Sequence, residues 1–179
     1  MSTITKTLWK IDPTHSEVQF KVKHLIISTV TGSFNAFDGS VESENDDFAG
    51  ADVRFEADIN SITTNNEQRD GHLKSDDFFN AEKFPKLTFE SSSFEKTGDD
   101  SYKLTGNLTI RDITKEVVLD VVYGGTVVDP YGQTKAGFEV TGTINRKEYG
   151  LSWSAVTEAG NLVVADNVKL IMNVQFVQN

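Results

Sequence analysis

The chain has 179 residues, enough for a single domain (residues 1–179) with a sizeable core, and its 25% charged and 37% hydrophobic residues are those of a folded chain. A formal charge of -10 with no basic run argues against nucleic acid and polybasic membrane attachment, and the absence of cysteine removes disulfides, thiolate catalysis and thiolate metal sites. Met1 to Lys10 lack the apolar core of a secretory leader, and the longest apolar clusters, Leu25-Ile26-Ile27 and Val117 to Tyr123, are far too short for a membrane span. The expected location is cytoplasmic, or periplasmic if the sequence is a processed form, with no stable membrane insertion.

A first strand is expected at Leu8 to Ile11, and strict alternation follows along most of the chain. Val18, Phe20 and Val22 alternate with Glu17, Gln19, Lys21 and Lys23, which places the even positions on a core face and the odd ones in water. Val30, Gly32 and Phe34 continue less cleanly, and Val53, Phe55, Ala57 and Ile59 form the sharpest two-faced run.

At Thr64-Asn65-Asn66-Glu67 the alternation stops at a capping-box spacing, which predicts a helix through Arg69 to about Lys74. Ser75 or Asp76 then caps a second short helix carrying Phe78 and Phe79, and Phe84-Pro85 forces an extended exit. Leu73, Phe78 and Phe79 read either as a plug of ordinary core or as a lid over a ligand.

Alternation resumes at Leu87 and Phe89 and returns at Tyr102 to Ile110, Val117 to Tyr123, Ala136 to Ile144 and Val168 to Phe176. Turns are expected at 45–47, 97–100, Arg111-Asp112, Asp129 to Gly132 and Gly160-Asn161. About eight strands joined by hairpins, each with one wet face, form either a closed antiparallel barrel with room for a small ligand or a two-sheet sandwich. Gly106 and Gly142, at core-facing positions where coiled strands bend, favour the barrel.

The chemistry-bearing residues are sparse. His15, His24 and His72 are widely separated, no G-x-S-x-G or glycine-rich phosphate loop occurs, and Ser152-Trp153-Ser154 lacks the flanking glycines of a nucleophile elbow. Asp70, His72 and Asp77 are the one group with acid–base potential, although Arg69 with Asp70 reads more simply as a salt bridge holding the helix. No catalytic residue, metal site or cofactor is assigned.

Several segments in order resemble the YceI-like, or polyisoprenoid-binding, family: Trp9-Lys10-Ile11-Asp12-Pro13-Thr14-His15-Ser16, Gly32-Ser33-Phe34, Phe37-Asp38-Gly39, Ser61-Ile62-Thr63-Thr64, Arg69-Asp70-Gly71-His72-Leu73, Asp77-Phe78-Phe79, Phe84-Pro85, Gly106 to Ile110, Thr114-Lys115, Asn145-Arg146 and Tyr149-Gly150-Leu151. Arg111-Asp112-Ile113 departs from it, standing where the family carries a glycine-bearing turn. The resemblance implies an all-β fold, an extended eight-stranded antiparallel lipocalin-like β-barrel with a short helical insertion near residues 65–80. It also implies a tunnel for a long isoprenoid chain, such as a quinone tail or a polyprenyl phosphate.

By alternation, the candidate lumen residues are Val18, Phe20, Val22, Phe34, Phe55, Ala57, Phe89, Leu104, Leu108, Leu119, Val121, Phe138, Val140, Leu170, Met172 and Val174. Arg69 and His72, three apart on one helix face, are the candidates for a quinone oxygen or phosphate, with His15 and His24 behind them. The expected partner is one small apolar lipid, bound without chemistry, and outward apolar residues such as Ile171 leave a homodimer contact open. The rival readings are an enzyme acting on an isoprenoid through His72 and nearby carboxylates, and a ligand-free interaction module.

Overall fold

The computed structural model describes residues 6–25, 27–44, 48–153 and 164–179; the turns expected at 45–47 and 160–161 lie outside them. Among these residues there are eleven strands, one α-helix and three short 3-10 turns. The strands are β1 (Thr7–Ile11), β2 (Glu17–His24), β3 (Ser28–Phe34), β4 (Phe37–Ser43), β5 (Asp52–Asp58), β6 (Ile62–Thr63), β7 (Lys86–Lys96), β8 (Ser101–Ile110), β9 (Ile113–Val128), β10 (Thr134–Asn145) and β11 (Val164–Gln178), and the helix is α1 (Glu67–Lys74).

These eleven make eight staves of one closed antiparallel barrel, because the first three staves are each broken in two. β11 pairs with β10 on one edge; on the other it pairs with β2 through Val164 to Asn173 and with β1 through Phe176 to Gln178. β3 and β4 likewise share one line, paired with β2 and β1 on one side and with β6 and β5 on the other. β7 to β10 then run as an uninterrupted meander. The sandwich alternative is thereby excluded, since the last strand returns to the first and leaves one sheet closed on itself.

The three breaks lie side by side and are held by side chains where ladder bonds lapse. At the first, Gln175 keeps its partners: its carbonyl accepts from the Asp12 amide at 2.8 Å and its amide donates to the Ser16 hydroxyl at 3.0 Å. Asp12 caps the Pro13–His15 turn, accepting from the Thr14 amide and hydroxyl, from His15 Nδ1 at 2.8 Å and from Lys135 Nζ at 3.1 Å. At the other two, Asp58 N donates to Ala36 O, Ile59 N to Pro85 O and the Ser61 hydroxyl to Asp58 O. Sequence alternation does not reveal β4, where Gly39 and Ser43 occupy buried positions that an apolar pattern would fill.

Inward positions carry the core, and the outward positions of β7 and β8 carry Lys, Glu, Ser, Asn and Thr, the inverse of a barrel whose outer wall faces lipid; among the described residues the exposed valines are confined to β9. No helix among the described residues is long and apolar enough to cross a membrane. The inward glycines have a cause other than bending: a Cβ at Gly106 would collide with the Glu90 carbonyl and the Phe89 ring, and one at Gly142 with the end of Leu119. The register does shift opposite Gly106, between Ser91 and Ser93, but the ring lying across the glycine is what forbids a side chain there.

Gly106→Ala should therefore lower the unfolding free energy by about 2–3 kcal/mol, as overpacking against backbone does, read as a drop in the urea midpoint. The Asp12 network carries a pH signature. The Thr14 hydroxyl first, then His15, Lys135 and the Thr14 amide, hold the Asp12 carboxyl far below its ordinary 3.8 against the opposing effect of burial. A folded pKa depressed in this way contributes stability that is complete above 3.8 and is lost as pH falls below it. In urea titrations from about pH 5 to about pH 2.5, the stability gap between wild type and Asp12→Asn should close over that range.

Candidate ligand-binding cavity

Running down the barrel is a cavity of about 320 Å³. Every lumen residue expected from alternation lines it except Ala57, which is 1% exposed but whose methyl is too short to reach the cavity from the wall. Val30, Val41, Leu87, Phe94, Ile110 and Val168 join them from the same inward positions, as do Leu73 from the helix and Phe78, Phe79, Leu151 and Trp153 from the loops.

The two ends differ. At one, Phe48 in the β4–β5 connection is 1% exposed, its ring 5.1 Å from Phe138, 5.2 Å from Trp9 and 5.6 Å from Tyr123. Phe94 stacks on Tyr102 beside this cluster at 4.7 Å, so the end is plugged. Phe48 is a residue that the alternation argument misses, since a lone Phe between turn residues has no period. At the other end, inward Val22, Val30, Val140, Val168, Leu170 and Met172 stay half-exposed, which marks the mouth.

The segment between β6 and β7 lies over this mouth. α1 begins two residues later than the capping-box spacing predicts: Asn66 is the cap, its side chain accepting from the Arg69 amide at 3.1 Å. Arg69 and Asp70, expected to pair with each other, both turn to Thr64. Asp70 Oδ1 accepts from the Thr64 amide and hydroxyl at 2.8 and 2.6 Å, while Arg69 Nε and Nη2 donate to the Thr64 hydroxyl and carbonyl at 2.7 and 2.8 Å. The cause is that Thr64 sits just before the cap, within reach of the first turn of α1.

The second helix is not formed; residues 76–79 make a turn that folds back on the end of α1, Phe79 N donating to Leu73 O and Phe78 N to the carbonyl of the C-cap Ser75. That turn drives Phe78 and Phe79 inward, Phe79 meeting Phe34 edge-on at 6.2 Å. His72 is held edge-on to both Phe78 and Trp153 at 5.0 Å, with Nε2 2.9 Å from Asp77 Oδ2. Arg69 and His72 thus both line the cavity at its mouth. His24 also reaches the lining, whereas His15 stands outside the barrel in the Asp12 network.

Two arginines fasten the mouth, and sequence reasoning assigned neither a role. Arg111 and Asp112 both take left-handed backbone in the two-residue turn between β8 and β9, with φ of 53° and 67°. Glycine is thus dispensable there, and the Arg111 guanidinium donates to Asp76 O, Phe78 O and Gly150 O and pairs with the Asp76 carboxylate at 3.0 Å. Arg146 is 2% exposed and donates to the carbonyls of Ala165, Leu151, Trp153 and Val164, with Asp166 at 4.0 Å. Burial pushes its pKa down, opposed by Asp166. The signal for Arg146 was the adjacent Asn145, which caps the 3-10 turn Arg146–Tyr149 by accepting from Lys147 N.

Chemically, the mouth offers the cations Lys23, Arg69 and Arg146 and the imidazoles of His24 and His72 against an apolar bore. No cluster of metal-ligating side chains occurs among the described residues. Asp70 is spent on Thr64, and the His72–Asp77 pair faces aromatic rings.

A family model for the YceI-like domain matches residues 9–176. The chain belongs to the YceI-like family. UPF0312 proteins of Staphylococcus aureus strains N315 and Mu50 are each 39% identical to it over 171 residues, covering 95% of this chain and 97% of theirs. A Campylobacter jejuni YceI protein superposes with a TM-score of 0.75 at 33% identity, covering 88% of this chain and 90% of that one. Burkholderia cenocepacia BcnA does so with a TM-score of 0.80 at 21% identity, over 92% and 98%. A polyisoprenoid-binding domain from Saccharophagus degradans has the same fold, with a TM-score of 0.69 at 16% identity over 99% and 100%.

The Arg111 contacts predict a local effect. Arg111→Gly preserves the left-handed turn but deletes the fastener, so amide exchange at Phe78 to Asn80 should accelerate on the order of tenfold or more, for a loss of about 2 kcal/mol of charge-assisted hydrogen bonding, while β7 and β8 remain protected.

Proposed function

We propose that this YceI-like barrel is a non-enzymatic carrier or store for one long-chain isoprenoid lipid, of the quinone-tail or polyprenyl phosphate type. The observation that carries the reading is an apolar bore plugged by aromatics at one end and left half-exposed under a polar-rimmed lid at the other. Family membership and the shared fold with a polyisoprenoid-binding domain support it.

The physics of the bore is consistent with such a ligand. At about 0.8 kcal/mol per buried methylene, each isoprene unit contributes roughly 3–4 kcal/mol before ordering costs, so a few units are enough for micromolar binding. A cavity of about 320 Å³ is at the small end of ligand sites, which favours a thin chain over a bulky ring system. The headgroup then sits at the mouth. Arg69 is held by Thr64 through Nε and Nη2, which leaves Nη1 for a phosphate or quinone oxygen, and His72 stands one turn along the same helix.

Organic extraction of the purified protein followed by mass spectrometry should recover a polyprenyl or prenyl-quinone species; a protein that yields no apolar molecule and binds none on titration rules the reading out. Val140→Trp, which fills the bore near the mouth, should weaken binding at least about tenfold with the circular dichroism spectrum unchanged. Arg69→Gln combined with His72→Gln should weaken a phosphorylated isoprenoid more than the corresponding alcohol. Turnover of an isoprenoid ester or phosphate that His72→Ala abolishes while retaining binding would instead establish an enzyme.

A further inference from the structure

The outer face beside the mouth is unlike the rest of this acidic chain. With 27 Asp and Glu in all, residues 18–34 and 167–179 contain none, and β2, β3 and β11 lie side by side, so the two acid-free stretches form one continuous surface. Lys21 stands directly opposite Lys169 across the β2–β11 ladder, and Lys23 lies one outward position nearer the hairpin tip. Like charges in direct cross-strand register repel, and the carboxylates of these strands lie away from the pair: Glu17 stands at the far end of β2 and Asp166 pairs with Lys147 at 3.1 Å. At the tip, next to the cavity-lining His24, Ile27 is 86% exposed.

We infer that the β2–β3 hairpin docks the barrel on an anionic membrane surface, Ile27 entering the headgroup boundary and Lys21, Lys23 and Lys169 meeting lipid phosphates, so that the ligand passes between bilayer and cavity mouth. The occupant follows from charge and position together: no ion-pair partner of the three lysines occurs among the described residues, an apolar residue leads them, and Lys23 and His24 continue into the cavity lining. The overall charge of -10 does not forbid this. At physiological salt the Debye length is about 8 Å, so carboxylates on the far staves are screened from a surface that touches only the hairpin. Docking of this kind is peripheral and reversible, in keeping with so few lysines and one inserted side chain.

This inference rests on the lipid-carrier reading, and the test separates the two. The full chain is floated with vesicles of phosphatidylcholine alone or with phosphatidylglycerol added, and the cavity is probed in parallel with farnesol delivered from water. Wild type should associate with the anionic vesicles only, and raising the salt should release it. Lys21→Gln, Lys23→Gln and Lys169→Gln should each lower the partition coefficient about fivefold, and Ile27→Asp should lower it at least as much; Lys21→Gln, Lys169→Gln and Ile27→Asp, all outside the cavity lining, should keep wild-type melting temperature and farnesol affinity. Farnesol bound without vesicle association, or association that survives the triple lysine variant, overturns the docking and leaves the carrier standing. Vesicle association without farnesol binding removes the carrier and keeps the docking. A two-chain mass that Ile27→Asp reduces to one, with no vesicle association, assigns the face to a second copy and overturns it as well.

Discussion

The structure depends on the double partnership of β11. Fifteen residues long, it carries β10 on one edge and both β1 and β2 on the other, so the end of the chain closes a sheet that would otherwise present two free edges. Closure turns a row of half-wet strands into an enclosed volume. The closing ladder is interrupted at Pro13–His15, and it survives because Asp12 and Ser16 supply Gln175 with the two bonds that a continuous strand would have made. Asp12, Thr14 and His15 are therefore part of barrel closure and lie outside the cavity, which the neighbouring Ile11 lines.

Closure by itself makes a core; a cavity needs the walls to stay apart. Three aligned breaks in the first staves turn the sheet sharply, and the wall beyond β3 is completed by the α1 segment instead of a strand. Above Thr141 and Asp120 the β9–β10 ladder also stops, and the 3-10 turn Arg146–Tyr149 packs against β9 there. The mouth is thus built from loops on a strand frame, which explains why its inward valines and methionine remain half-exposed while the same faces further down are buried.

Loops at a mouth need fasteners, because they have few ladder bonds. Arg111 and Arg146 serve this purpose, each spreading one planar guanidinium over several backbone carbonyls, a geometry that lysine does not offer. Arg111 joins the β8–β9 turn to the lid and to Gly150, and Arg146 joins the start of β11 to residues 151 and 153. Burying the Arg146 charge is tolerable because its donors are answered by carbonyls and by nearby Asp166. Both fasteners leave the bore apolar.

Alternation made most strands, their wet and dry faces and much of the lining legible, though not β4, because the side-chain period of a strand is two and assigns a face without knowledge of the partner. Val121, Leu104 and Phe138 were legible in that way, and Ala57 was not, since facing inward does not say how far a side chain reaches. Which end is plugged, which is the mouth, and what Arg69, Asp70 and Arg146 bind follow from contacts between distant segments. Phe48 closes one end from a connection with no periodicity, and Asp70 abandons its neighbour Arg69 for Thr64 once the chain folds back before the cap. The paired Lys21 and Lys169 are distant in sequence and become neighbours only through register. Period is a local property of the chain, whereas closure, reach and partnership depend on residues far apart in sequence, and they exist only once the last strand has found the first.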